Sequence, residues 1–305
     1  MTGHGMGRGV LRPAVAASLF EVRTHPPAAA LAPFVEFYWN PRWDLRGRPD
    51  HEQKVLAHPN VHLVFEPPEP LVYGVQRGVF TRVLHGRGQA FGVKFRPGAF
   101  RPPAGGPVAE LADRAVPAAG LFSPEVAEVG QRVLALDDLT EMAALTDGFL
   151  LGVLPPAGTD PRVAEVAALV ERITASPQLF RVDELARELD LPVRRLQRLF
   201  AQYVGASPKW VLRRARLHEA AARADEGADV DWAALSADLG YADQAHLTRD
   251  FAAAVGSPPS RYTRAQPLAG STSLRGAAES ERLGDGGKVD HNGRDTSEVW
   301  RRRKT

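Results

Sequence analysis

The sequence predicts an α+β N-terminal domain followed by an all-α domain in which two helix-turn-helix units are joined by a long helix. Three observations carry this expectation: a pattern that occurs twice near the C-terminus, short apolar stretches broken by Pro and Gly across residues 33–98, and helical apolar spacing over residues 124–154.

Composition narrows the classes first. The chain has 305 residues, 44% hydrophobic and 24% charged, as in globular proteins, and no apolar run long enough to cross a bilayer. Residues 1–20 carry Arg8 and Arg12 but no apolar h-region, so they read as a flexible N-terminus without a signal peptide, and a cytoplasmic location is expected. With no cysteine, disulfide scaffolds, thiol catalysis and Cys-based zinc sites are excluded. The 38 basic and 36 acidic residues leave a net charge of +2, so any nucleic-acid signal must be local.

Residues 21–154 read as the α+β domain. PFVEFYW (33–39), HLVFE (62–66), LVYGV (71–75) and FGVKF (91–95) have the β-branched and aromatic content of strands. The run GVLPPAGTDP (152–161), with three prolines and two glycines, places a linker at 155–161. Residues 162–266 read as the all-α domain, which opens on the helical spacing of Val163, Val166, Ala167 and Val170. Residues 267–305 are nearly empty of large apolar side chains and read as a disordered tail.

The repeat dictates the architecture of the C-terminal part. Residues 196–208 and 247–259 both fit LxRxFAxxVGxxP, at an offset of 51 residues. Upstream, Val182, Leu185, Ala186 and Leu189 match Trp232, Leu235, Ser236 and Leu239 at an offset of 50, all with helical spacing. The extra residue therefore falls in the second turn. Each unit (about 182–204 and 232–255) is a short helix, a tight turn and a second helix, with Gly240 in the second turn where the first has Asp190. A long connecting helix starts at Pro208.

The exposed face expected for the first unit's second helix carries Arg194, Gln197 and Arg198. Arg pairs bidentately with guanine and Gln with adenine, so these groups are suited to reading base edges. From Leu191 to Arg223 there are eight basic residues and one acid, a net +7, which suits phosphate contact by Arg195, Lys209, Arg213, Arg214 and Arg216. From Ala224 to Asp250 seven acids face Arg249 alone, a net −6, so the second unit is expected to read DNA less strongly.

These residues resemble the DNA-binding domain of the AraC family of bacterial transcription regulators, through LARELDLPVRRLQRLF, GASPKWVLRRARLHEA and LGYADQAHLTRDFAAAVGSPPSRYTR. The resemblance implies two helix-turn-helix units in successive major grooves of promoter or operator DNA. It places Arg194, Gln197 and Arg198 at the first unit's reading positions, and Gln244, His246, Thr248 and Arg249 at the second's. Departures are Leu247, where the family usually has an aromatic, and Asp190, where it has a turn glycine. PFVEFYW and FGVKFRPGAFRP also resemble a domain found ahead of this one in the family. That resemblance implies control by a small-molecule effector or by self-association as a homodimer, and RNA polymerase as a partner where the regulator activates.

A different class was weighed: a small-molecule-binding or metal-dependent catalytic domain carrying a vestigial DNA-binding module. Its best support is His58, His62 and Glu66, but strand residues four apart lie about 13 Å from each other, too far for one ion unless Pro59-Asn60 forms a turn. Arg96 can meet an acidic ligand or close a structural ion pair. No GxSxG, phosphate-loop or HExxH motif is present. The expectation is thus a non-enzymatic transcription regulator with no catalytic or metal-binding residues and no cofactor. Cysteine-directed methyl transfer, known in DNA-repair relatives, is impossible without cysteine.

Overall fold

The computed structural model describes residues 9–176, 181–226 and 230–264; the stretch expected to be a disordered tail lies outside them. The first described residues correct one expectation. Residues 9–20 were expected to be flexible, yet they form a short helix, α1 (Pro13–Ala17), and lead into a strand. The cause is backbone pairing with burial: Leu11 N–H donates to the Lys54 carbonyl (3.2 Å), Leu56 N–H donates to the Gly9 carbonyl (2.8 Å), and Leu11 is only 5% exposed.

The N-terminal domain then runs through β1 (Phe20–His25), β2 (Val35–Asp44), β3 (His51–Val55), β4 (His62–Phe65), β5 (Leu71–Tyr73), β6 (Phe80–Leu84), β7 (Arg87–Gln89) and β8 (Phe91–Phe95). A short helix α2 (Arg101–Ala104), strand β9 (Ala115–Pro117) and helices α3 (Glu125–Leu134) and α4 (Leu139–Val153) complete it. All pairings are antiparallel. The main sheet has the order β1-β2-β8-β4-β5-β9, while β3 and β6 form a separate ribbon. β7 and β8 share one edge of β2 in the same register, and the ladder shifts at Glu36, where β2 carries a bulge.

Every residue of β8 is buried, as its position between β2 and β4 requires. Its one charge, Lys94, ends 2.9 Å from Glu36. α4 is fixed to the sheet by Asp147, which accepts from the Tyr38 hydroxyl (2.5 Å) and the Ala28 N–H (3.1 Å). Its start is capped by Asp138, whose carboxylate accepts from two backbone N–H groups.

The C-terminal helices are α5 (Pro161–Ala175), α6 (Val182–Glu188), α7 (Val193–Tyr203), α8 (Pro208–Glu226), α9 (Trp232–Asp238), α10 (Gln244–Val255) and α11 (Pro259–Arg264). Residues 154–160, between α4 and α5, carry neither helix nor strand. Buried side chains continue from sheet to helices: Phe95, Phe100 and Val108 belong to the same cluster as Val166, Leu185, Leu196, Phe200 and Val211. A second cluster joins α9, α10, α11 and the later part of α8 to Leu11 and Leu56 of the N-terminal domain.

Candidate nucleic-acid interface

The repeat is a repeat of caps and core positions. Leu196 and Phe200 in α7, like Leu247 and Phe251 in α10, are wholly buried, and each anchors its helix on α8 and on the helix before it. The turns match bond for bond, with Leu191 N–H on the Ala186 carbonyl (2.9 Å) and Tyr241 N–H on the Ser236 carbonyl (2.9 Å). Asp190 (φ 50°) and Gly240 (φ 65°) both take the left-handed conformation that reverses the chain. The additional residue of the second turn lies just after Tyr241. It supplies Asp243, whose carboxylate accepts from His246 N–H (2.6 Å) and caps α10, whereas α7 starts after Pro192 with no side-chain cap.

This anchoring decides what faces outward. Arg194, Arg195, Gln197 and Arg198 on α7 are exposed, and so is Lys209 at the start of α8. None of the five side chains has a hydrogen bond or ion pair among the described residues. On α10, Gln244, His246 and Arg249 are exposed and Thr248 is half-buried. His246 packs edge-on against Tyr241 (5.1 Å between centroids), with its Nε2 4.0 Å from the Asp250 carboxylate.

Three of the arginines expected on phosphate are engaged inside the protein. Arg213 donates through Nε to Asp250 on α10 (2.8 Å). Arg214 is 3% exposed; its guanidinium stacks on Trp210 (4.6 Å to the ring centroid), and Nη2 donates to the Arg77 carbonyl at 2.7 Å. Arg216 lies over the Tyr241 ring (4.6 Å), with Nη1 3.4 Å from the Leu239 carbonyl. The reason is that α8 is packed by α5, α6, α7, α10, α11 and the N-terminal domain, so little of its circumference is left for solvent. The local +7 count therefore overstates the charge available to a phosphate backbone.

The sequence also did not single out the contacts that hold the N-terminal domain to these helices. Trp210 Nε1 donates to the same Arg77 carbonyl (3.2 Å) as Arg214. Val108 packs on Gly205, which follows α7 at φ +90°; a Cβ there would stand 3.0 Å from Val108 Cγ1. Tyr203, at the end of α7, donates its hydroxyl to Asp160 (2.7 Å), the residue that caps α5. The Tyr262 hydroxyl accepts from Arg12 N–H (2.9 Å) and donates to Asp225 (2.9 Å). Helical spacing carried a signal for one of these residues: Arg214 falls in register with Val211 and Leu217, both buried.

The residues weighed as a metal site have separate neighbours. His62 Nδ1 accepts from Trp39 Nε1 (3.1 Å), and burial pulls its pKa down to about 3, with the nearby Lys94 and His58 adding to the fall. His58 stacks on His218 of α8, and Glu66 accepts from Tyr73 (2.5 Å) and pairs with Arg82 (2.6 Å). Among the described residues no three His, Asp or Glu side chains gather as a metal ion would need. Arg96 closes an ion pair with Glu171 on α5 (3.1 Å) and donates to the Ala32 carbonyl (2.7 Å). No helix among the described residues is long and apolar enough to cross a membrane.

Comparison with known families agrees with this geometry. Residues 185–265, which run from inside α6 through α11, match a family described as a helix-turn-helix domain, and residues 23–117 match a domain of unknown function (DUF6597). No curated protein gives a significant match to the chain. The chain is similar to an apo variant of ToxT from Vibrio cholerae strain SCE256, at 9% identity over 79% of this chain and 99% of that one, with a TM-score of 0.39. It is similar to a second ToxT structure from Vibrio cholerae at 12% identity over 83% and 100%, with a TM-score of 0.34. Unsaturated fatty acid bound wild-type ToxT from strain SCE256 is a third, at 10% identity over 80% and 91%, with a TM-score of 0.31.

Two helix-turn-helix units on one connecting helix, behind a strand-rich domain, define a DNA-binding protein of the double helix-turn-helix class. The helix-turn-helix domain of residues 185–265 is of the AraC type, and the chain is a DNA-binding regulator of transcription.

Proposed function

We propose that this regulator binds a specific promoter sequence in double-stranded DNA and discriminates it chiefly through α7. In this reading Arg194, Gln197 and Arg198 meet base edges, while Arg195 and Lys209 hold phosphates and set the register. Gln244, His246, Thr248 and Arg249 on α10 add a weaker second contact, because residues 224–250 carry a net charge of −6. The N-terminal domain, as an effector sensor or a homodimerising unit, acts through its bonds to α8. RNA polymerase joins as a partner where the bound site activates.

The observation that carries the reading is the contrast in how the arginines are used. Those on the outer face of α7 are exposed and have no partner among the described residues, whereas those of α8 are engaged internally. Mapping genomic DNA bound by the chain, then titrating the recovered site and a scrambled site at one fixed salt concentration, tests it. A preference of about a thousand-fold or more for the recovered site is expected. Equal affinity for both would leave only non-specific binding.

A further inference from the structure

The loop between β5 and β6 carries Arg77 from the N-terminal domain onto α8 and α10. There it borders a cavity of about 150 Å³ lined by Arg77, Trp210, Arg213, Arg214, Ala253 and Ala254 among others. Three guanidinium groups thus meet at one small space. Two already have a carboxylate: Arg77 Nε lies 2.6 Å from Asp113, and Arg213 Nε lies 2.8 Å from Asp250.

Arg214 differs. Its Nη2 bonds only to backbone carbonyl oxygens, and its buried Nη1 has no hydrogen-bond partner among the described residues. Burial pulls its pKa down to about 10, which still leaves the group charged at neutral pH. Asp113 lies near enough to favour its charge but is paired with Arg77, so Arg214 has no carboxylate of its own among the described residues, and an anion arriving here meets a buried cation with an unused donor.

We propose that this cavity binds a small free anion, through a carboxylate or phosphate group, and that the anion ties the Arg77 loop to α8 and α10. A charge-assisted pairing to several guanidinium groups supplies the recognition, and the indole of Trp210 supplies an apolar wall. The volume suits one carboxylate- or phosphate-bearing group. A DNA phosphate is the less favoured occupant. Ala253 and Ala254 lie nine and ten residues along α10 from Gln244, about 14–15 Å at 1.5 Å per residue, and one wall is the N-terminal domain itself. The site deepens the reading of a ligand-controlled regulator and rests on it.

Isothermal titration of the full chain with inorganic phosphate and with citrate, at constant ionic strength and without DNA, tests the site. At least one probe is expected to bind saturably to a single site. A response to phosphate alone identifies a phosphate-bearing ligand, and a response to citrate alone a carboxylate. Arg77→Ala removes a half-exposed side chain, leaves the backbone carbonyl in place, and should weaken binding by about tenfold or more, the loss of one charge-assisted contact. Arg214→Met should abolish binding; if that variant does not fold, Arg77→Ala decides alone. The proposal is overturned by the absence of saturable heat at millimolar probe, by unchanged binding in Arg77→Ala, or by displacement of the probe with duplex DNA, which would place the cavity on the DNA face. A negative result here leaves the promoter titration untouched, so the two readings fail separately.

Discussion

His58, which follows β3, lies flat against His218 in the middle of α8, with ring centroids 3.9 Å apart and planes 9° from parallel. The pair stacks the N-terminal domain on the connecting helix. Burial pushes the pKa of His218 well below its ordinary value, and the nearby His58, Arg214 and Lys94 push it further, while a backbone bond with Ala57 opposes the fall.

A pH dependence of stability follows. His218 and His62 stay neutral in the fold, whereas in the unfolded chain each takes up a proton below about pH 6.5. The stability they contribute is complete above that pH and is lost as the pH falls toward their depressed folded values. Each costs about 1.4 kcal/mol per pH unit across that window. Urea unfolding at pH 7.5, 6.0 and 5.0 should show the decline, and His218→Gln should make it shallower. A variant with the wild-type slope would show that His218 is already protonated in the fold.

Salt dependence should be moderate. Arg195 and Lys209, the phosphate contacts of this reading, are exposed and their side chains have no partner among the described residues, and two phosphate contacts give a log–log slope of about −2. Anisotropy titrations between 50 and 300 mM salt measure it, two concentrations on the order of those where counterion release dominates. A slope of about −4 to −5 would mean that Arg213, Arg214 and Arg216 leave their internal partners to join the backbone contact.

The two reading helices should be unequal. Arg198→Ala is expected to cost about 1–3 kcal/mol on the preferred site and to relax preference at one or two base pairs. Arg249→Ala, on a helix flanked by Asp243 and Asp250, should cost on the order of 1 kcal/mol and act evenly across sequences. Melting curves check that both variants remain folded. If Arg249→Ala erases site preference and Arg198→Ala does not, α10 is the principal reader.

Gly205 and Gly256 hold matching places in the repeat, and both have positive φ, at +90° and +82°. Around Gly256 the nearest atom to an added Cβ is Lys54 Nζ at 3.6 Å, while at Gly205 it is Val108 Cγ1 at 3.0 Å. Alanine at 256 should cost about 1–2 kcal/mol from backbone strain alone. Alanine at 205 should cost about 2–4 kcal/mol, because the packed N-terminal turn must also shift. Denaturant titration of both variants makes the comparison.

Much of the helical half was legible, since LxRxFAxxVGxxP encodes buried Leu and Phe, a left-handed glycine and a helix-starting proline at fixed spacing. The four apolar strands at residues 33–39, 62–66, 71–75 and 91–95 were legible for the same reason: β-branched and aromatic residues between turn signals. FEVRTH in β1 and HEQKV in β3 were not, because they are edge or ribbon strands whose side chains are largely polar and half-exposed. The N-terminal segment escaped notice because Leu11 is buried by residues far away in sequence, in a cluster of Leu56 with side chains from the later part of α8 to α11. Charge counting misjudged α8, since a sum over residues does not say which side of a helix each one occupies. Arg214 is the plainest case, as its partner is a backbone carbonyl that no sequence pattern advertises.

The stretch between α4 and α5 looks like a hinge between interchangeable parts, yet the buried side chains on its two sides interlock, with Val163 and Val166 against Gly98, and Val108 against Gly205. Cutting the chain there would free no reading module, because the two pieces would remain clasped around a common interior. Grafting the reading half onto a foreign sensor would leave the face beneath Val108 bare to water. In evolution such a sensor and its reader must change together, each substitution on one side of the seam constraining what the other side can become.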